Sequence, residues 1–298
     1  APYSFTTDYE PTSWARYTAQ ETRVRTYDIQ PSIGVSVTPW LRAGVALNIE
    51  YAEAKLANLL PNLSASLPDG EQILSGNGWD TGFTVGVQAH DGPLTVGLSY
   101  KSSVEHTLKG SLSVSGLLGP LASSNKELDD IQARFSTPWQ LIGAIRYQVS
   151  DAVTLNMQGI RYGWSKFDAI RLGAPLDVEI PELYGNSWSL AGGIDVRISP
   201  ILAVRAGVQH ATTPTQDGER DARVPDSDRW NFGLGASVAM NRRMTIDMAA
   251  NYIHFDTATI DRVTAAYAGT SAQTPILVSG EIRDSNAVIL TLGGRFAF

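Results

Sequence analysis

The C-terminal stretch Val288–Phe298 reads VILTLGGRFAF, in which apolar and polar residues alternate. One face of an extended chain would carry Leu290 and Leu292, and the opposite face would carry Thr291 and Arg295. Successive side chains of a strand point to opposite faces of a sheet, so this alternation predicts a β-strand with one apolar face.

The same alternation recurs along the whole chain and predicts eleven strands. They are expected near residues 20–37, 41–60, 76–90, 93–115, 128–149, 153–173, 186–199, 202–214, 228–240, 244–264 and 278–298. Many of these segments exceed the usual length of strands in soluble proteins, which is about five to six residues. Within the second segment, Glu53–Leu60 also favours a helical turn in a loop.

The connections between the strands alternate in length. Short turns are expected at residues 38–40, 91–92, 150–152, 199–201 and 241–243, and long loops near 61–76, 116–128, 174–186, 214–227 and 265–277. Short turns at one end and long loops at the other are typical of outer-membrane β-barrels, whose turns face the periplasm. A soluble β-sandwich also alternates, but it does not explain this asymmetry of the connections.

Composition narrows the class of protein further. The 298 residues include no cysteine, which excludes disulfides and thiolate metal sites, and the formal net charge of −7 argues against a nucleic-acid partner. No apolar stretch reaches the roughly 18 residues that a membrane helix needs, and a barrel is the other fold that satisfies its backbone within lipid. The residues Ala1–Ser4 show no signal-peptide pattern.

Aromatic residues stand at the predicted strand ends and favour an interfacial girdle at the membrane surface. The tryptophans concerned are Trp40, Trp79, Trp139, Trp164, Trp188 and Trp230. The terminal Phe298, which closes an alternating strand, resembles the C-terminal signature of bacterial outer-membrane proteins. We therefore predict an all-β chain, an antiparallel transmembrane barrel in the bacterial outer membrane.

Five segments of the chain match sequence elements of one protein family. The segment Arg223–Trp230 resembles the family element that precedes a late strand, and Thr213–Asp217 resembles the loop before it. Three earlier elements have similar counterparts in Leu98–Val104, Ser136–Trp139 and Tyr162–Phe167. The five segments occur in the family's order and span most of the chain. Together they resemble the FadL/TodX family of outer-membrane transporters for hydrophobic compounds.

The resemblance implies a fourteen-stranded barrel with an N-terminal hatch inside its lumen. Eleven strands are readable here, and neither the hatch nor the first three strands has a counterpart. We therefore expect residues 1–298 to form a single barrel domain that corresponds to the C-terminal part of a family member. The lead-in Ser4–Gln20 is expected on the extracellular side. Between the strands at residues 20–37 and 280–298 we expect an open edge, or a gap filled by a missing piece.

The resemblance also implies capture of an amphiphile by apolar extracellular loops, followed by a binding site in the lumen. The long loops supply candidate apolar contacts at Leu59, Leu60, Leu63, Leu117 and Leu118. Exposed apolar patches mark binding surfaces. The alternative, which is compatible with this one, is that these leucines pack one loop against the other.

Lys101 is the candidate receptor for a carboxylate, because it matches a family arginine and its position in the alternation places it in the lumen. The competing partner of Lys101 is Glu105, four residues further along the same predicted face. Arg229 and Arg220 are weaker candidates, since arginines at the base of a loop pair more often with neighbours such as Asp226 or Asp228.

The implied function is uptake of long-chain fatty acids or other hydrophobic compounds, and the sequence leaves the choice among them open. The expected surroundings are outer-membrane lipid and lipopolysaccharide, the expected state is a monomer, and no cofactor or metal is expected. A general diffusion porin stays open as an alternative. An enzyme is disfavoured, because the four histidines form no alternating pair with a serine nucleophile.

Overall fold

The computed structural model describes residues 3–267 and 273–296, and Phe298 lies outside the described residues. These residues form β1 (Phe5–Asp8), β2 (Glu21–Ile29), β3 (Ser32–Ser36), β4 (Leu41–Leu60), β5 (Gly70–Asp91), β6 (Leu94–Lys101), β7 (Glu105–Ser115), β8 (Lys126–Ser136), β9 (Trp139–Gln148), β10 (Val153–Gly163), β11 (Ala169–Leu172), β12 (Val178–Pro181), β13 (Ser187–Ser199), β14 (Leu202–Ala211), β15 (Arg229–Ala239), β16 (Met244–Phe255), β17 (Ala258–Ala266), β18 (Thr274–Ile282) and β19 (Asn286–Phe296). Short 3₁₀ helices cover Gly119–Ser124 and Trp164–Lys166. No helix in the described part of the chain is long and apolar enough to span a membrane.

The eleven predicted strands are confirmed, and several are divided by a short break. Pro31 separates β2 from β3 and Pro138 separates β8 from β9. Proline has no backbone N–H to contribute to a sheet, which explains why the ladder is interrupted there. The helical turn expected at Glu53–Leu60 is wrong. This segment continues β4 and pairs with β2 on one side and β5 on the other, and these tertiary pairings override its local preference.

The strands pair antiparallel with their neighbours, and the predicted short turns connect them. The pairing runs from β2 and β3 through β4, β5, β6, β9, β10, β13, β14, β15 and β16 to β19. These strands form the wall of the barrel. On its extracellular side β7 pairs with β8, and β17 pairs with β18 in a separate hairpin. Among the described residues, no ladder joins β2 or β3 to β19, and the expected open edge remains a prediction.

The two faces of the sheet differ in polarity as the alternation predicts. Leu290 and Leu292 on β19 are 77% and 76% exposed, and they face away from the barrel. The opposite face carries Arg205, Asp247 and Arg295, which line a concave cavity of about 620 Å³. The apolar face is thus the outer wall and the polar face lines the lumen.

The tryptophans of the predicted girdle do not all face outward, and the girdle itself stays a prediction. Trp79, Trp188 and Trp230 are exposed among the apolar side chains of the outer face. Trp164 is different, because the chain leaves β10 at Gly163 and enters a 3₁₀ helix. Its ring therefore packs in an aromatic cluster, 5.8 Å from that of Tyr184, and does not belong to the girdle.

The lead-in Ser4–Gln20 begins along β2, with which β1 pairs antiparallel, and its later part packs across the extracellular end of the barrel. Ala15 and Ala19 are fully buried in an apolar cluster with residues of the loop before β15 and of the β17–β18 hairpin. Arg16 reaches the opposite side, where its guanidinium lies 3.3 Å from Asp69. The segment therefore bridges the first hairpins and the last one at this end.

Candidate functional site

A β-bulge separates β6 from β7 and decides which side chains enter the lumen. Strand β5 is continuous and pairs with both, and Thr84 lies opposite Lys101. An unbroken register would place Leu108 opposite Asn77, but Lys109 occupies that position. One extra residue has therefore been inserted around 102–104, and such an insertion turns every later side chain to the other face.

The bulge corrects the partner that the sequence suggests for Lys101. Glu105 is not on the same face as Lys101; it is exposed on the outside. The reason is the extra residue, since alternation along an unbroken strand would have kept the two together. The same shift brings His106 into the lumen, where it is fully buried.

Gly82 on β5 makes room for the bulge. A Cβ atom at this position would lie 2.7 Å from Val104 Cγ2 and 2.8 Å from Ser102 Oγ. Ser102 Oγ in turn accepts a hydrogen bond from the backbone N–H of Phe83 at 3.0 Å. The glycine and the serine hydroxyl thus fix the bulge against β5.

Five charged or titratable side chains meet inside the barrel and form what we call the lumenal cluster: Asp28, Glu50, Asp80, Lys101 and His106. Lys101 Nζ lies 2.5 Å from Glu50 Oε1 and 2.9 Å from Asp28 Oδ2. His106 lies between two carboxylates, with Nε2 3.4 Å from Glu50 and Nδ1 3.3 Å from Asp80. The cluster joins β2, β4, β5, β6 and β7.

Neutral groups complete the lumenal cluster. Asn48 Nδ2 donates to Asp28 Oδ2 at 2.7 Å, and the Thr84 hydroxyl donates to Asn48 Oδ1 at 2.8 Å.

The lumenal cluster contains more acidic than basic groups, because its three carboxylates face one lysine and one histidine. A buried cation is costly unless it is paired, and Lys101 already has two anionic partners. The charge of Lys101 is therefore already compensated by carboxylates of the protein.

The two candidate arginines, Arg220 and Arg229, also have partners within the protein. Arg220 is buried, and it donates to Asp217 at 2.8 Å and to the backbone oxygen of Thr259 at 2.7 Å. It therefore braces the loop before β15 against β17. Arg229 Nη1 lies 3.3 Å from Asp226 Oδ1, which is one of the two pairings that the sequence suggests.

The candidate leucines divide into two groups. Leu60 and Leu117 are buried in a cluster with Leu112, Val114, Leu121 and Ile131, so they pack one loop against the other. Leu59 is half-buried. Leu63 and Leu118 are 68% and 42% exposed on the two extracellular loops.

Asn62 holds these two loops together. Its Oδ1 accepts a hydrogen bond from the N–H of Leu118 at 2.9 Å, and its Nδ2 donates to the Gly116 oxygen at 3.1 Å. The apolar tips that carry Leu63 and Leu118 are thereby fixed next to each other.

A second ionic cluster lies in the extracellular loops, and the sequence gives no signal for it. Arg262 on β17 lies 3.3 Å from Asp221 and 3.9 Å from Glu182. Burial raises the pKa of Glu182 to about 7, and the neighbouring Asp221 adds to the shift while Arg262 opposes it. Two loops and a hairpin meet at this point.

The periplasmic half of the lumen carries a row of polar contacts that crosses six neighbouring strands. Asn156 donates to Asp195 at 2.7 Å, and Arg205 lies 2.8 Å from Asp195. Asp247 accepts from Ser237 and from Arg295, the latter at 2.7 Å. The row continues through Arg205, which donates to Ser237 at 2.7 Å.

Known structures share this architecture. A FadL homologue of Pseudomonas aeruginosa superposes with a TM-score of 0.86 at 21% sequence identity, covering 98% of this chain and 72% of its own. The toluene transporter TbuX of Ralstonia pickettii superposes with a TM-score of 0.67 at 18% identity, covering 98% of this chain and 75% of its own. At these identities the likeness concerns the fold.

Sequence comparison leads to the same group of proteins. The long-chain fatty acid transport protein of Escherichia coli O6:H1 is 24% identical over 255 residues, which cover 71% of this chain and 55% of that protein. The 47 kDa outer membrane protein of Pasteurella multocida is 26% identical over 227 residues, covering 71% and 50%. The chain thus spans about half the length of these relatives. The family model of the outer membrane protein transport proteins (OMPP1/FadL/TodX) matches residues 1–298, and the chain belongs to that family.

Proposed function

We propose that this protein takes up hydrophobic compounds across the outer membrane, within a class that includes long-chain fatty acids and uncharged hydrocarbons. The observation that carries the proposal is the pair of exposed leucines, Leu63 and Leu118, on loops that Asn62 ties together at the extracellular end. An apolar surface in water favours contact with an apolar solute. The names of the matched relatives, a fatty acid transport protein and a toluene transporter, cover both parts of the class.

The lumenal cluster bears on which member of the class is taken up. A carboxylate bound at Lys101 would have to displace Asp28, and it would also meet Glu50 and Asp80. The role of Lys101 as a carboxylate receptor therefore stays a proposal that depends on this displacement. The intact cluster favours an uncharged hydrophobic compound.

The proposal is transport and not catalysis, with no cofactor. The continuous apolar outer face suits a monomer surrounded by lipid and lipopolysaccharide. A second candidate, a general diffusion porin, is favoured by the polar row from Asn156 to Arg295 in the lumen. Water and small polar solutes would use such a wall.

An uptake experiment separates the two candidates. Cells that lack their own channels for hydrophobic compounds express the protein, and the uptake of a labelled alkane, oleate and a small sugar is measured. Replacing both leucines, Leu63→Asn with Leu118→Asn, should slow alkane uptake about thirtyfold, since each exposed leucine contributes about 1 kcal/mol of apolar contact. Ala65→Asn, in the same loop, should not slow it. Sugar flux without hydrophobic uptake would contradict the proposal and support a porin.

A further inference from the structure

We propose that His210, Asp228 and Asp256 form a binding site for a divalent transition-metal ion of the Zn²⁺ type on the outer wall of the barrel. One imidazole nitrogen and one carboxylate oxygen from each aspartate all lie within 4.8 Å of one another. The three residues come from three adjacent strands, at the end of β14, just before β15 and just after β16. The site is separate from the lumen and from the loops assigned to uptake.

The position of the site follows from strand pairing. His210 lies opposite Trp230, on the same outward face as Val208 and Phe232. Asp256 follows the last residue of β16. Its backbone N–H donates to the backbone carbonyl oxygen of Asp228 at 2.8 Å, which extends the β15–β16 ladder by one step. The two carboxylates thus project from neighbouring strand ends beside the histidine.

The two aspartates place two acidic side chains at neighbouring strand ends. Like charges directly opposite each other on neighbouring strands are destabilising. The structure records no ion pair to Asp228 or Asp256 among the described residues, although Asp228 Oδ1 accepts a hydrogen bond from the N–H of Thr213 at 2.8 Å. A bound cation would remove this repulsion.

The histidine is held in place by tryptophans. The His210 ring lies 4.6 Å from the Trp230 ring and 5.2 Å from the Trp188 ring, measured between centroids. Because these rings limit its rotation, the imidazole is kept beside the carboxylates. Ligands of one Zn²⁺ ion lie roughly 3–4 Å apart, so a rotation of the exposed Asp256 side chain closes the site.

The ligand types select the ion. Imidazole favours Zn²⁺, Ni²⁺ and Cu²⁺, whereas Ca²⁺ and Mg²⁺ prefer oxygen ligands alone. Three protein ligands leave a fourth position of a tetrahedral ion open to water. A bound ion would join the ends of three strands at the base of the loop between β14 and β15, so it should stabilise that loop.

Calorimetric titration of the folded protein in detergent micelles tests the proposal, with Zn²⁺ as the probe. The unmodified protein should bind one ion, and His210→Asn and Asp256→Asn should each weaken binding at least tenfold. His254→Asn is the matched control, because His254 faces outward in register with Trp230 but lies outside the cluster. This variant should bind as the parent does.

Two further measurements make the outcome decisive. The first is gel mobility, which depends on heating for folded barrels and checks that each variant is folded. The second is proteolysis of residues 212–228, which Zn²⁺ should slow in the parent but not in His210→Asn. The proposal is overturned if the folded parent binds no Zn²⁺, if His210→Asn binds it as tightly as the parent, or if Ca²⁺ binds more tightly than Zn²⁺.

Discussion

The ammonium group of Lys101 lies 2.5 Å from a carboxylate oxygen of Glu50, a side chain that is fully buried inside the barrel. Glu50 also contacts His106 through its other oxygen at 3.4 Å. One carboxylate therefore links β6 and β7 on the two sides of the bulge. Glu50 is the member of the lumenal cluster that contacts both Lys101 and His106.

Removing the carboxylate should destabilise the folded barrel strongly. Glu50→Ala would leave the buried Lys101 with only Asp28 and would deprive His106 of one partner. Breaking a buried ion pair costs about 3–5 kcal/mol, so we expect a loss on the order of 3 kcal/mol in urea-induced unfolding. Glu53→Ala is the matched control, because its pair with Arg25 is exposed and should contribute less than about 1 kcal/mol. Equal losses in the two variants would contradict the assignment.

A methyl group at Gly82 should disturb the bulge. Gly82→Ala places an atom 2.7 Å from Val104 Cγ2, closer than van der Waals contact allows, and overpacking of this kind costs about 1–3 kcal/mol. At Gly86, on the same strand, the nearest atom would be 3.4 Å away, so Gly86→Ala should be nearly neutral. Unfolding midpoints of the two variants provide the comparison, and the account fails here if Gly86→Ala is the more damaging.

Local sequence determines some of these contacts and not others. The pairing of Asp28 with Glu50 follows from the short turn at residues 38–40, because a tight turn sets the register of its hairpin. The position of Glu105 could not be predicted, since a single extra residue at 102–104 reverses the alternation without changing composition. The Glu50–Lys101 contact also requires the register across the loop between β4 and β5, which no turn motif sets.

The same limit applies to the extracellular end. Leucine-rich loops predict an apolar surface, but only tertiary packing decides that Leu117 is buried and Leu118 is exposed. The contact of Arg262 with Asp221 joins residues 41 positions apart in the sequence. Periodicity predicts which face a strand residue occupies, whereas loop contacts over such distances leave no periodic signal.

The orientation of the outer wall can be measured directly. A spin label at Leu292→Cys should be accessible to oxygen and protected from a water-soluble nickel quencher, because this side chain is 76% exposed on the apolar face. A label at the adjacent Thr291→Cys should show more access to the nickel quencher, since it faces the lumen. The reverse pattern at the two sites would exclude the assigned orientation of β19.

The extracellular ionic cluster should loosen as pH rises. Burial raises the pKa of Glu182 to about 7, above the usual value for this side chain, so the folded state holds its proton more tightly than the unfolded chain does. Its contribution to stability is fully present below about pH 4.5 and is lost as pH rises through 7, with a full size of roughly 3 kcal/mol.

Hydrogen exchange of residues 178–186, corrected for the intrinsic effect of pH, should therefore show less protection at pH 8 than at pH 6. Glu182→Gln should remove this difference, whereas Glu179→Gln, at an exposed residue of the preceding strand β12, should preserve it. A difference that persists in Glu182→Gln would mean that another group titrates.

Binding of two matched ligands tests the central claim most directly. Oleate and oleyl alcohol share one chain and differ in the charge of the head group, and their affinities for the folded protein can be compared by tryptophan fluorescence at pH 8. Because Glu50 and Asp28 already neutralise Lys101, we predict that the alcohol binds at least as tightly as oleate. A free lysine would supply a charge-assisted hydrogen bond of about 1.5–3 kcal/mol. Binding of oleate tenfold or more tighter than that of the alcohol would contradict the account.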